Sequence, residues 1–200
     1  MEKLVGLAWV ILLLIQPRFA TAATAGEQLR QSINKIIEIL NDPQLKRNEK
    51  ERRAKLKEVI SQRFDFSEMA KRSLGSEWRR LKPEQQKEFV TLFMGLLEDA
   101  YLDRIESYNG EKVQYTQERH DGAYGEVGTK LLDNKGREFS VDYRLHNVNG
   151  DWRVYDVVIE DVSLVSNYRS QFSRILARSS VEELLKRMRE KQFSAPTAKS

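Results

Sequence analysis

Residues 152–159, WRVYDVVI, set the hardest condition this chain has to meet. Successive side chains of a strand point to opposite faces. In strict alternation Trp152, Val154 and Val158 share one face, while Tyr155, Val157 and Ile159 share the other. Apolar residues on both faces demand cover on both, in a chain of which 32% is charged.

The period of two recurs upstream. KVQYTQER, AYGEVGTKLL, REFSVDYRLHNV and DWRVYDVVIE read as four strands, separated by the hairpin-type turns HDG, DNKG and NVNGD. Four strands joined by tight turns make an antiparallel meander. In the third, Phe139, Val141, Tyr143 and Leu145 form an apolar face, and Ser140, Asp142 and Arg144 a polar one.

The first half has the helical period instead. Leu29, Ile33, Ile36, Ile37 and Leu40 fall on one helix face, and Asn41-Asp42-Pro43 ends that helix. The segment QLKRNEKERRAKLKEVISQRF reads as the next helix. Its Lys46, Arg47, Lys50, Arg52, Arg53, Lys55 and Lys57 are either a solvated face or a surface for an anionic partner. Asp65 or Ser67 caps a short helix that Gly75 stops. Pro83 suits the first turn of a long helix reaching about Ile105. Its Phe89, Val90, Phe93, Leu96, Leu97, Ala100 and Tyr101 belong to an apolar arc of roughly 200°, twice what a surface helix needs. Helices return over 165–178 and 181–192. The fold class is therefore α+β, with helices packed on a four-stranded antiparallel sheet, an arrangement able to hold a pocket between the two.

The N-terminus bears on compartment. A basic residue, an apolar run over 4–15 and the small residues ATAATA have the layout of a secretory signal cleaved before Ala23. The apolar run is short for a permanent span, the alternative reading. The domains expected are a signal peptide over 1–22, one domain over 23–192 and a disordered tail over 193–200. The formal charge of +4 in an exported chain favours anionic lipid or an acidic protein surface over nucleic acid. With no cysteine, disulfides and thiol chemistry are excluded.

Catalytic motifs are sparse. His120 and His146 have no H-E-x-x-H setting, and no G-x-S-x-G occurs. Gly122, Gly125 and Gly128 sit in a turn and a strand and do not open a helix, which argues against phosphate cradling. Asp142 and Asp156 are the carboxylates to weigh. Asp156 interrupts the most apolar strand, either as a general base tuned by its pocket or as a structural acceptor paired with an arginine such as Arg169. Ser163 or Ser166 can cap the helix that follows, with Asn167, Tyr168 and Arg169 available for a pocket rim where Arg169 meets an anionic head group.

The segment YDVVIEDVSLVSNYRSQF resembles the C-terminal hallmark of the MlaC, or toluene-tolerance, family, and FDFSEMAKRSLGSEWRRLKPEQQKEFVTLF resembles its central segment. The resemblance covers about residues 27–192. It departs at Asp161, where the family leads one to expect glycine, and this bears on the turn there. The resemblance implies a cone related to nuclear transport factors and a soluble, monomeric periplasmic phospholipid carrier with no cofactor or metal. Its partners would be an inner-membrane ABC transporter with MCE domains and an outer-membrane lipoprotein–porin complex, and its role the asymmetry of the outer membrane. A related branch is associated with hopanoids.

The lipid-binding residues expected on that basis are Phe93, Leu97, Ala100, Tyr101, Val127, Phe139, Val141, Tyr143, Tyr155, Val157, Ile159, Tyr168 and Phe172, with Asn167 and Arg169 at the rim. A small-molecule enzyme using Asp156 or Asp142 as base, and a structural adaptor of the envelope, are the competing readings.

Overall fold

A computed structural model of the chain describes residues 23–193. The expected signal peptide lies outside the described residues, as does the expected tail beyond residue 193. The elements are α1 (Ala25–Asn41), α2 (Pro43–Lys46), α3 (Glu49–Arg63), α4 (Phe66–Leu74), a 3-10 turn (Gly75–Arg80), α5 (Pro83–Glu106), β1 (Lys112–Asp121), β2 (Tyr124–Leu132), β3 (Glu138–Val148), β4 (Asp151–Ile159), β5 (Val162–Ser163), α6 (Leu164–Leu176) and α7 (Val181–Arg189).

Side-chain caps place the helix boundaries. Thr24 and Glu27 form a reciprocal capping box on α1. Asp42 caps α2, with Pro43 in its first turn. Asn48 caps α3, which splits the expected single helix of residues 44–64 in two. Asp65, not Ser67, caps α4 through the Glu68 amide at 2.9 Å. Gly75, at φ 58°, ends α4 in a conformation a side chain would resist. Ser163 caps α6, and Ser180 caps α7.

The sheet runs β1-β2-β3-β4-β5, antiparallel at every pair. Its fifth strand is two residues long and folds back through a turn in which Glu160 and Asp161 both have positive φ. Asp161 thus adopts at φ 62° the left-handed geometry expected of glycine, and aspartate is among the residues that tolerate it. The Glu160 carboxylate accepts the Ser140 amide and its hydroxyl, fastening the turn to β3.

The register of β4 corrects the strict alternation expected of it. Arg144 pairs with Asp156, but the next residue, Leu145, pairs with Val154, leaving Tyr155 as the extra residue of a bulge. The bulge changes which side chains face inward. Trp152, Val154 and Val157 all lie in the main core, with Ile159 packed against it, whereas Val158 lies outside that cluster. Tyr155 meets the rings of Tyr124 and His146 at 5.9 and 5.8 Å, with the Arg72 guanidinium 3.9 Å from its centre.

Two apolar cores result. The main one joins Met69 of α4, Phe89, Phe93 and Leu97 of α5, Tyr168 and Phe172 of α6, and Leu184 and Leu185 of α7 to the inner sheet residues Val127, Val141 and Leu145. A smaller one gathers Ile39, Leu40, Leu45 and Leu56 around Leu102, near the end of α5. The wide arc of α5 is thereby accounted for, because one helix serves both cores.

Candidate functional site

The place to look for a ligand is between α5 and the sheet. The main backbone neighbours of α5 are α4 and α7 rather than the strands. Across this interval, Leu92, Leu96 and Tyr101 of α5 and Tyr115, Leu131, Tyr143 and Ile159 of the sheet pack against the main core yet stay partly accessible. Beneath them Phe93, Leu97, Val127, Val141, Val157, Tyr168 and Phe172 are buried. The Phe93 ring meets Tyr168 at 5.5 Å, edge to face, and Phe172 meets Phe89 at 5.4 Å, giving the floor a fixed aromatic packing. One concavity of about 380 Å³, bordered by Arg30, Thr116 and Glu118, reaches Tyr115 and Val127. It therefore leads from the surface beside the start of α1 to the inner face of the sheet.

Most of the expected lipid-binding residues meet here: Phe93, Leu97, Tyr101, Val127, Val141, Tyr143, Val157, Ile159, Tyr168 and Phe172 belong to one cluster. Ala100 lies half-buried one residue before Tyr101. Tyr155 and Phe139, like Ala100, lie outside that cluster. Tyr155 is carried out of the cluster by the bulge. Phe139 is 39% exposed at the start of β3, with the Arg137 guanidinium 5.7 Å from its ring. Tyr115, Leu131, Leu92 and Leu96 take part without having been expected. The apolar position of Tyr115 is masked by its polar neighbours in β1, and Leu131 continues the alternation of Val127 and Thr129.

The phenols carry the polar character of this interior. The hydroxyls of Tyr101, Tyr115 and Tyr168 are buried and have no hydrogen-bond partner among the described residues. Burial pushes the Tyr101 pKa up to about 12, with Arg104 opposing. Burial likewise raises Tyr168 and Tyr143, and raises Tyr115 against the pull of Arg30. These phenols therefore remain protonated donors at neutral pH.

Arg169 is exposed and lies so close to Gly75 that a Cβ there would come within 2.7 Å of its guanidinium. Asn167 accepts from Gln171 at 2.8 Å. Asp156 is engaged by partners other than the expected Arg169. It accepts Ser163 Oγ at 2.6 Å, the Val165 amide at 3.1 Å and the Arg144 guanidinium at 3.2 Å. Asp142, whose carboxyl is raised by burial and then by Glu126 and Asp161, faces away from the cluster on the polar side of β3. Among the described residues no group of three or more metal-ligating side chains is placed to hold an ion, and no helix is long and apolar enough to cross a membrane.

The basic run of α2 and α3 is largely neutralised. Arg52 binds Glu106 at 2.8 Å, Arg53 binds Glu106 and Asp103 at 2.7 and 2.6 Å, Lys55 binds Glu51 and Lys57 binds Glu98. This joins α3 to α5 and leaves Lys46, Arg47 and Lys50 as the cations of the run without a carboxylate partner among the described residues.

Together the elements define an α+β protein in which an antiparallel sheet is clasped by helices over an aromatic and aliphatic interior. The chain belongs to the MlaC protein family, whose model matches residues 30–190. It is 28% identical over 102 residues to the toluene tolerance protein ttg2D of Pseudomonas putida, covering 50% of this chain and 47% of that one. It is 25% identical over 122 residues to the intermembrane phospholipid transport system binding protein MlaC of Haemophilus influenzae, covering 58% and 57% respectively. These alignments thus span about half the length of the relatives. A solved phospholipid-binding protein from Ralstonia solanacearum, in complex with a phospholipid, superposes with a TM-score of 0.77 at 25% identity, covering 84% of this chain and 97% of that one.

Proposed function

We propose that this chain is a soluble periplasmic phospholipid carrier that exchanges lipid between an inner-membrane ABC transporter and an outer-membrane complex, and so maintains outer-membrane asymmetry. The observation that carries the proposal is the near full-length likeness to a protein solved with phospholipid bound. The name of the Haemophilus relative points the same way. The interval between α5 and the sheet supplies a matching surface of accessible aliphatic and aromatic side chains.

The physical task explains the rest. Two sixteen-carbon tails hold about 30 methylene and methyl groups, and exposing them to water costs on the order of 24 kcal/mol. A carrier has to hide most of that surface and needs no catalytic group. Asp156, the most buried candidate base, is already engaged by Ser163, Val165 and Arg144, which argues against the enzyme reading. The working protein on this proposal is a monomer released from its signal peptide before Ala23.

Native mass spectrometry of protein purified from the periplasm is the test. A co-purifying diacyl lipid, transferable to acceptor vesicles, is the expected result. A lipid-free mass with no uptake from vesicles would overturn the proposal.

A further inference from the structure

Three buried phenols without partners stand out in the interior. Tyr101 comes from α5, Tyr115 from β1 and Tyr168 from α6, and each has a fully buried hydroxyl that meets no acceptor among the described residues. Tyr168 as a whole is 0% exposed. A buried hydroxyl left unpaired is costly, and a core of packed side chains would have been served by phenylalanine at all three positions. Three such donors, from three different elements of one apolar cluster, indicate that an acceptor belongs in that interior.

The surroundings narrow its chemistry. The Arg30 and Arg104 guanidiniums lie over the rings of Tyr115 and Tyr101, 3.7 and 5.7 Å from their centres. Placed there they face the rings and make no hydrogen bond to the hydroxyls. An anion so deeply buried would require a cation in direct contact; a neutral oxygen acceptor would not. An acyl ester offers that acceptor, because each carbonyl oxygen has two lone pairs and sits where apolar chain begins.

We propose that Tyr101, Tyr115 and Tyr168 donate hydrogen bonds to the ester carbonyl oxygens of a diacyl lipid, so that the site selects ester-linked lipid over ether-linked or polycyclic lipid. This rests on the carrier reading and adds a recognition element to it. The phenols hold the junction of glycerol and acyl chains, while the aliphatic residues around them take the tails.

The test is competition. The exported protein, purified and delipidated, is offered equal amounts of diester and diether phosphatidylglycerol of the same chain length, and the bound species are counted by native mass spectrometry. The diester should be favoured roughly three- to tenfold, as expected for losing one or two net hydrogen bonds. The combined variant Tyr101→Phe, Tyr115→Phe and Tyr168→Phe should bind the two about equally, whatever its total load. Equal occupancy in the unaltered protein would overturn the inference and assign the hydroxyls to water or phosphate. A preference that survives in the combined variant would also overturn it. If that variant fails to fold, Tyr168→Phe alone should still lower the preference, and no change would count against the inference. Failure of the unaltered protein to take up either lipid would instead overturn the carrier reading itself.

Discussion

Asp156 accepts the Ser163 hydroxyl at 2.6 Å, and the same serine oxygen caps α6 through the Ser166 amide at 3.1 Å. One carboxylate thus ties the inner strand of the sheet to the helix that carries Tyr168 and Phe172. Removing it leaves the Val165 amide, a hydroxyl and a guanidinium short of an acceptor. Asp156→Ala should cost on the order of 2–4 kcal/mol of stability, and Asp156→Asn less, with lipid per folded molecule unchanged in both. Chemical unfolding paired with lipid quantitation checks this; a folded Asp156→Asn that no longer takes up lipid would make the residue part of the site.

Adding bulk should separate core from cleft. Val157 is 6% exposed within the main core, so Val157→Trp should overpack it and cost about 1–3 kcal/mol or more. Ala100 is half-buried on α5 beside Tyr101. Ala100→Phe should leave the melting temperature of delipidated protein nearly unchanged and reduce the lipid carried. The opposite pattern would put the cleft on the wrong side of the sheet.

Glu118 gives a pH dependence with a definite sign. Burial pushes its carboxyl up, but the Gly26 amide at 2.9 Å, with His120 and Thr24, outweighs this and holds it below the usual glutamate value of 4.5. A depressed pKa in the folded state contributes stability above the unfolded value, and that contribution is lost as pH falls through the folded value. Thermal unfolding of the native protein should therefore weaken below about pH 4.5 more than that of Glu118→Gln. Parallel curves for the two would show that the contact between Glu118 and α1 adds nothing.

The basic run divides into structural and free cations. Glu106 has a side chain only 9% exposed and is shared by Arg52 and Arg53. Reversing both arginines to glutamate should destabilise by roughly 3 kcal/mol, since it strands a nearly buried carboxylate. Reversing Lys46, Arg47 and Lys50 should leave stability within about 0.5 kcal/mol and slow association with anionic vesicles at low salt only. Denaturant midpoints and stopped-flow rates distinguish the two groups.

The change of period from helical to alternating was enough to read the α+β layout, because each segment had to present one apolar side. Asp65, Gly75, Pro83 and Ser163 acted at the boundaries where local chemistry allows few alternatives. The bulge at Tyr155 was not readable, since a one-residue shift in register leaves no mark in the strand that contains it. The partners of Arg52 and Arg53 were hidden for a related reason: Asp103 and Glu106 lie about fifty positions away in the chain, and charge runs do not announce distant counter-charges. A lipid is implied by the family resemblance, whereas the accessible interior depends on α5 lying on α4 and α7, a tertiary placement that no residue pattern encodes.

The bulge has a consequence for insertions and deletions. With Tyr155 removed, Val154 would still oppose Leu145 and Asp156 would still oppose Arg144, because the register is already fixed on both sides of it. Val154, Val157 and Ile159 would keep their inward orientation in an unbroken alternation. Loss of Asp156 would keep the same register with Tyr155 opposite Arg144, but would forfeit the carboxylate that holds Ser163 and the Val165 amide. The bulge can therefore absorb a one-residue deletion, and Tyr155 is the residue whose removal spares both the core and the carboxylate, so lineages that shorten this strand by one residue should lose the equivalent of Tyr155 and its edge-to-face contacts with Tyr124 and His146, while leaving the interior that faces α5 untouched.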